Sequence, residues 1–229
     1  MNDVTLITYG HNSAYHILPM YLWGLSNLPQ GFKHILVSND DQHGAKAMTD
    51  TFVANMRSLL QDVDTSLVMF AHLDNIFFEP VAAPDMHCAI ANVMSDNFDL
   101  LKFDRSGCSS TDRFDDVYDI LNPGSMYLYS NQPTLWRTDS MCKLFEFTQL
   151  NHLSDEAYYS HDMRALGMRG LVTNMDHVYH WPVLPHHQAF DTDYYSSTKV
   201  PFINALHAGA WNTNWHAGKI AELRNQFKL

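Results

Sequence analysis

The sequence has no cluster of lysine or arginine. Its 14 basic residues are scattered among 25 acidic ones, and the formal net charge is −11. A long cationic track for a nucleic-acid backbone is therefore not visible, because that kind of binding needs concentrated positive charge. A phosphorylated ligand would need its charge met from another source, and a divalent cation on carboxylate or histidine ligands is the obvious one. No apolar run reaches the length of a membrane span. Met1-Asn2-Asp3 leads straight into Val4-Thr5-Leu6-Ile7 with no basic flank, so no signal peptide is expected. There are only three cysteines, Cys88, Cys108 and Cys142, and none has CxxC spacing. Free thiols in a reducing compartment are the simpler reading, and a cytoplasmic location goes with them. Internal repeats and low-complexity segments are absent too.

What is present points to one α/β domain spanning residues 1–229. The 46% hydrophobic content is enough for a sizeable core. Val4 to Tyr9 reads as a strand that ends in the polar turn Gly10-His11-Asn12-Ser13. A helix carrying Pro19 in its first turn follows, and Phe32 to Val37 reads as a second strand ending in Ser38-Asn39-Asp40-Asp41. Two strands that finish in small polar loops, with a helix between them, form a βαβ unit. The expectation is a Rossmann-like, mostly parallel sheet flanked by helices, with polar residues at its carboxyl edge. Helices are expected over 49–60 and 82–97, then a strand over 98–103. Residues 105–124 are rich in Gly, Ser, Asp and Pro and read as a loop with one helical turn, a candidate lid. A strand over 126–130 is expected next, then helices over 136–147 and 155–166 (the latter ended by Gly167). A short strand over 171–174 and a closing helix over 217–227 complete the pattern.

One stretch organises the rest: Leu67-Val68-Met69-Phe70-Ala71-His72-Leu73-Asp74-Asn75-Ile76-Phe77-Phe78-Glu79-Pro80. A short apolar run reaches a single acid, resumes, and stops at a proline, which reads as a buried strand. A free carboxylate inside such a strand is too costly, so Asp74 belongs where the strand opens onto a cleft. A turn-capping Asp between two strands is the alternative.

Three segments together resemble the small GT-A glycosyltransferases of bacteria and phages that use nucleotide-sugar donors. They are Phe70-Ala71-His72-Leu73-Asp74-Asn75-Ile76-Phe77-Phe78, Tyr129-Ser130-Asn131-Gln132-Pro133-Thr134-Leu135-Trp136-Arg137 and Glu156-Ala157-Tyr158-Tyr159-Ser160-His161-Asp162. The ending Val200 to Asn212, with Leu206-His207-Ala208-Gly209-Ala210-Trp211, is similar to that family's closing segment. The resemblance implies a GT-A fold with a nucleotide-binding part (1–104) and an acceptor-binding part (105–229). It implies sugar transfer from a nucleotide-sugar donor to a hydroxyl of a saccharide, or of a modified DNA base, with Mn²⁺ or Mg²⁺. The acidic motif here, His72-Leu73-Asp74-Asn75, has one carboxylate where the family often has two. Part of the metal coordination would then fall to another residue such as His207.

The resemblance assigns roles residue by residue. Asp74 and His207 would hold the metal, although His207 also fits a hydrogen-bonded packing histidine. Tyr9, Gly10, His11, Ser38, Asn39 and Asp40 would hold the nucleotide. Asp162 would be the general base with Glu156 as the second acid, the alternative being acids that cap a helix. On one helix these two lie about 120° apart, so they converge only if the segment starts outside the helix. Trp136, Arg137 and Trp211 would bind the acceptor, with Trp136 as a core residue the other reading. Two further classes remain open at this point: a nucleotidyltransferase or phosphohydrolase on a similar scaffold, and a sugar-binding module without catalysis.

Overall fold

The computed structural model describes residues 3–10, 15, 17–38, 45–47, 51–73, 75–77, 83–95, 98–103, 108–149, 156–173, 202–204, 222 and 225–228. The chain begins with β1 (Val4–Gly10), whose β-branched residues suit a strand buried on both faces. Next come α1 (Leu18–Leu25), β2 (Lys33–Ser38), the short β3 (Lys46–Ala47) and α2 (Phe52–Gln61). Pro19 lies in the first turn of α1, as expected. Thr51 starts α2 by accepting the Ala54 N–H at 3.3 Å. The organising stretch divides into β4 (Leu67–His72) and β5 (Asn75–Phe77). Then come α3 (Ala83–Met94), β6 (Leu100–Lys102), β7 (Ser110–Arg113), β8 (Tyr118–Leu121), β9 (Thr134–Arg137), α4 (Thr138–Phe147), α5 (Glu156–Ala165), β10 (Gly170–Thr173) and β11 (Phe202–Asn204). Gly167, at φ +66°, closes the turn after α5.

Among the described residues nine strands form one mixed sheet in the order β3-β2-β1-β4-β9-β6-β10-β8-β7, and β5 pairs with β11 separately. β3, β2, β1 and β4 are mutually parallel, as are β6 and β10; β9 and β8 run against their neighbours. The expected α/β, Rossmann-like sheet is therefore the fold, with two reversed strands that give it its mixed character. Alternate residues of the strands feed two cores. Ile7, Val68, Phe70 and Trp136 pack with residues of α2, α4 and α5. Leu6, Leu67, Met69 and Leu135 pack on the opposite face with residues of α3.

Two expectations need correction. The segment read as a loop and lid, 105–124, contains the antiparallel pair β7 and β8 at the sheet's edge. Asp115 Oδ1 closes its turn by accepting the N–H groups of Val117 and Tyr118, both at 2.7 Å, which lets Tyr118 and Leu121 turn into the core. Further on, the strand is not 126–130 but Thr134–Arg137, and the helix begins at Thr138 rather than at Trp136. Trp136 pairs with Val68 on one side and Leu100 on the other. A strand with neighbours on both sides and cores on both faces reads as a plain apolar run, so its period is lost.

Candidate active site

The strand order reverses between β1 and β4. From β1 the chain winds outward through β2 to β3, then returns to place β4 on β1's other side. Loops at such a reversal leave in opposite directions, and a crevice opens at the carboxyl ends of the two strands. The register sets what stands there. Gly10 is level with Ser38, and Tyr9 with Val37 and His72. The Tyr9 and His72 rings lie 5.6 Å apart, and Tyr9 also meets the edge of Phe52. Burial pushes the Tyr9 phenol above its ordinary pKa, so it stays a protonated donor. A Cβ on Gly10 would come within 3.2 Å of Leu73, which fits glycine where two chain turns press together. Ser38 is wholly buried.

A second group comes in from β9. Thr134 is level with Phe70 of β4 and Lys102 of β6, so residues 129–133 sit beside the carboxyl ends of both strands. Ser130, Asn131 and Gln132 are buried, and the Ser130 Oγ and Tyr129 hydroxyl have no hydrogen-bond partner among the described residues. Orphaned buried hydroxyls are unusual in a finished core and are readily met by a ligand's polar groups. The Asn131 N–H donates to Glu156 Oε1 at 2.6 Å, and the Ser160 hydroxyl receives the Tyr129 N–H at 3.0 Å. The first turn of α5 is thereby pinned to the polar turn. Burial, then Tyr159 and Glu156, hold the Tyr129 phenol well above its ordinary pKa. Lys102 is not a charge for this crevice: its ammonium is wholly buried and donates to Tyr127 O at 2.7 Å and Cys108 Sγ at 2.9 Å.

Of the expected nucleotide residues, Tyr9, Gly10 and Ser38 are together at the carboxyl edge, while His11, Asn39 and Asp40 lie outside the described residues. So do Asp74, His207 and Trp211. Among the described residues no group of three His, Cys, Asp or Glu side chains is placed to hold a metal. β11 pairs with β5 so that Asn204 is level with Asn75; Asn75 follows Asp74 in sequence, and Asn204 precedes His207 by three residues. One carboxylate with one imidazole is a donor set that suits Mn²⁺ better than Mg²⁺.

Three assignments are corrected. Trp136 is 1% exposed and packs against Tyr129, so it is core and offers no face to an acceptor. Arg137 is level with Leu67, at the opposite end of β4 from His72, and so lies roughly 16 Å from the crevice along the strand. Glu156 and Asp162 both belong to α5, which sets them about 9 Å apart along the axis and about 120° apart around it. Only Glu156 is at the edge; Asp162, its side chain 16% exposed, lies further down beside His161. His72, Tyr129 and Ser130 were missed as site residues. For Tyr129 and Ser130 the signal was the polar turn before Pro133, and for His72 its place two residues before Asp74.

No family model matches the sequence, and no curated protein does. Solved structures do. The mannosyltransferase PcManGT of Pyrobaculum calidifontis, in complex with GDP-Man and Mn²⁺, is similar with a TM-score of 0.51 at 12% identity, over 98% of this chain and 74% of that one. TarS of S. aureus follows with a TM-score of 0.48 at 11% identity, over 74% and 57% of the two chains. A cytidylyltransferase of Leptospira borgpetersenii scores 0.47 at 7% identity, over 72% and 74%. At these identities the likeness shows the fold alone, and it rests on the mannosyltransferase. The chain has the α/β, Rossmann-like fold of that transferase. Among the described residues no helix is long and apolar enough to cross a membrane, and the three cysteines are free.

Proposed function

We propose that this chain is a glycosyltransferase that moves a sugar from a nucleotide-sugar donor to a hydroxyl acceptor. The observation that supports this most is the reversal of strand order at β1 and β4, with Tyr9, Gly10, Ser38 and His72 level at its mouth and Asp74 two residues beyond. In this reading residues 1–104 take the nucleotide, with the Tyr9 ring as a stacking surface and His11, Asn39 and Asp40 as further nucleotide-binding residues. Asp74 and His207 would hold Mn²⁺ or Mg²⁺, which when bound supplies positive charge to the departing diphosphate. Residues 105–229 take the acceptor. The Ser130 hydroxyl meets a sugar hydroxyl there, and Trp211 would offer an aromatic face. Glu156 takes the acceptor's proton: its carboxylate stands at the first turn of α5, held beside the polar turn by the Asn131 N–H. Asp162 gives up the base role to it on position. The net charge of −11 favours a saccharide over DNA as acceptor.

One set of variants tests the reading, with nucleoside diphosphate binding followed by calorimetry with and without Mn²⁺ and sugar transfer by mass spectrometry. Asp74→Asn is expected to abolish metal-dependent nucleotide binding; unchanged affinity would remove Asp74 from the site. Glu156→Gln keeps the acceptor of the Asn131 N–H but loses the base, so turnover should fall about 10²–10⁴-fold while donor affinity holds. Asp162→Asn should stay within a few-fold of the parent. The reverse ranking would return the base role to Asp162.

A further inference from the structure

The opposite edge of the sheet carries a second cavity that the proposed reaction does not use. The first turns of α4, the start of β6 and the turn between α5 and β10 line an open cavity of about 540 Å³, with Arg137, Lys143 and Arg169 in its wall beside Phe98 and two carboxylates, Asp99 and Asp139. That volume suits a small ligand. Three cations arrive from three elements: Arg137 ends β9, Lys143 belongs to α4, and Arg169 precedes β10. The chain is acidic overall and its sequence shows no basic cluster, so folding alone creates this one.

The carboxylates nearby are already engaged. Asp99 accepts the Ser140 hydroxyl at 2.6 Å and the Arg169 N–H at 2.7 Å. Asp139 receives the Arg137 fork at 3.2 and 3.3 Å and the Ser140 N–H at 2.8 Å. By contrast, neither the Lys143 ammonium nor the Arg169 guanidinium has an ion-pair partner among the described residues. Arg169 instead lies over the Phe98 ring, 5.3 Å from its centre, which holds the guanidinium in place without cancelling its charge. Cations gathered along one concave wall focus their field on an anion that binds there.

We propose that this basal cavity binds a phosphate group, either free or as the monoester of a small molecule. A planar carboxylate is satisfied by one arginine fork, whereas a tetrahedral dianion matches donors that converge from several directions. The cavity is separate from the donor crevice, because β4 puts roughly 16 Å between its two ends.

Calorimetry with inorganic phosphate, and with a hexose phosphate, tests this on the whole chain. The parent should bind at least one of them saturably. Lys143→Ala and Arg169→Ala should each weaken binding about tenfold or more, and the double variant should abolish it. Lys143→Arg should keep it. Both side chains are exposed, so the variants should melt with the parent. Saturating nucleoside diphosphate should leave phosphate binding unchanged. Absence of saturable binding in the parent, or equal affinity in both alanine variants, would overturn the proposal. Displacement by the nucleoside diphosphate would also do so, since it would assign the phosphate to the donor crevice. None of these readouts depends on sugar transfer, so the site stands or falls apart from the glycosyltransferase reading.

Discussion

Thr8 is fully buried in β1, and its hydroxyl meets two side chains: the phenol of Tyr21 from α1 and Nε2 of His34 from β2, the latter at 2.9 Å. Burial of its ring against Thr8 and Tyr21 draws the pKa of His34 below its ordinary value, although the residue as a whole is exposed and the effect is correspondingly small. The sign follows from proton counting. In the folded chain His34 resists protonation, so below the ordinary histidine value, about 6.5, the unfolded chain binds more protons. Stability from this group is fully present above that pH and declines as pH falls toward the lowered folded value. As pH falls below about 6.5, the parent should therefore lose melting temperature faster than His34→Gln, which has no such proton to bind. Equal slopes in the two proteins would remove His34 as a source of the dependence. At this scale the sequence was informative for Tyr9 and Gly10, which close a strand in a polar turn. It was silent on His72, which looks like one more residue of an apolar strand until β1 sets it beside Tyr9.

Helix ends leave carbonyls without partners, and α4 solves this through a neighbour. Arg57 of α2 donates to the carbonyls of Phe145 at 2.6 Å, Glu146 at 3.3 Å and Thr148 at 2.8 Å. A cation at a helix C-terminus also complements the helix dipole. Arg57→Met keeps much of the stem and loses every one of these bonds, so it should cost about 2–3 kcal/mol in denaturant unfolding, with Arg57→Lys recovering only part. Strand packing gives a second test at Gly170, where β10 lies between β6 and β8. A Cβ there would meet Leu100 at 3.0 Å and Leu121 at 3.1 Å, and neither contact is relieved without moving a core leucine. Gly170→Ala should cost about 1–3 kcal/mol by overpacking, measured the same way; a neutral result would mean the sheet yields there. Elements with a one-sided period, such as α2 with Phe52, Val53, Met56, Leu59 and Leu60 inward, were plain in the sequence. β9 was not. Its Leu135 and Trp136 face opposite cores, so both are apolar and the strand reads like the start of the helix that follows.

Across the whole molecule, the two edges of the sheet divide the chemistry. The carboxyl edge gathers Tyr9, His72, the polar turn at 130–132 and Glu156, while the basal edge gathers Arg137, Lys143 and Arg169. The sequence by itself determined the class of fold. Strands ending in polar turns with amphipathic helices between them have few ways to bury their apolar faces other than a flanked, largely parallel sheet. It also determined that the chain's charge is acidic and that Asp74 interrupts the apolar run of its stretch. Tertiary structure decided what stands next to what. Register turned Trp136 into core and carried Arg137 to the far edge, because a reversed strand exchanges the ends of the sheet for every residue it bears. Helix geometry separated Glu156 from Asp162, since six residues do not return a helix to the same face. The basic cluster exists only in three dimensions: Arg169 comes from a remote part of the chain to join Arg137 and Lys143, and charges so placed have no signature until the chain folds.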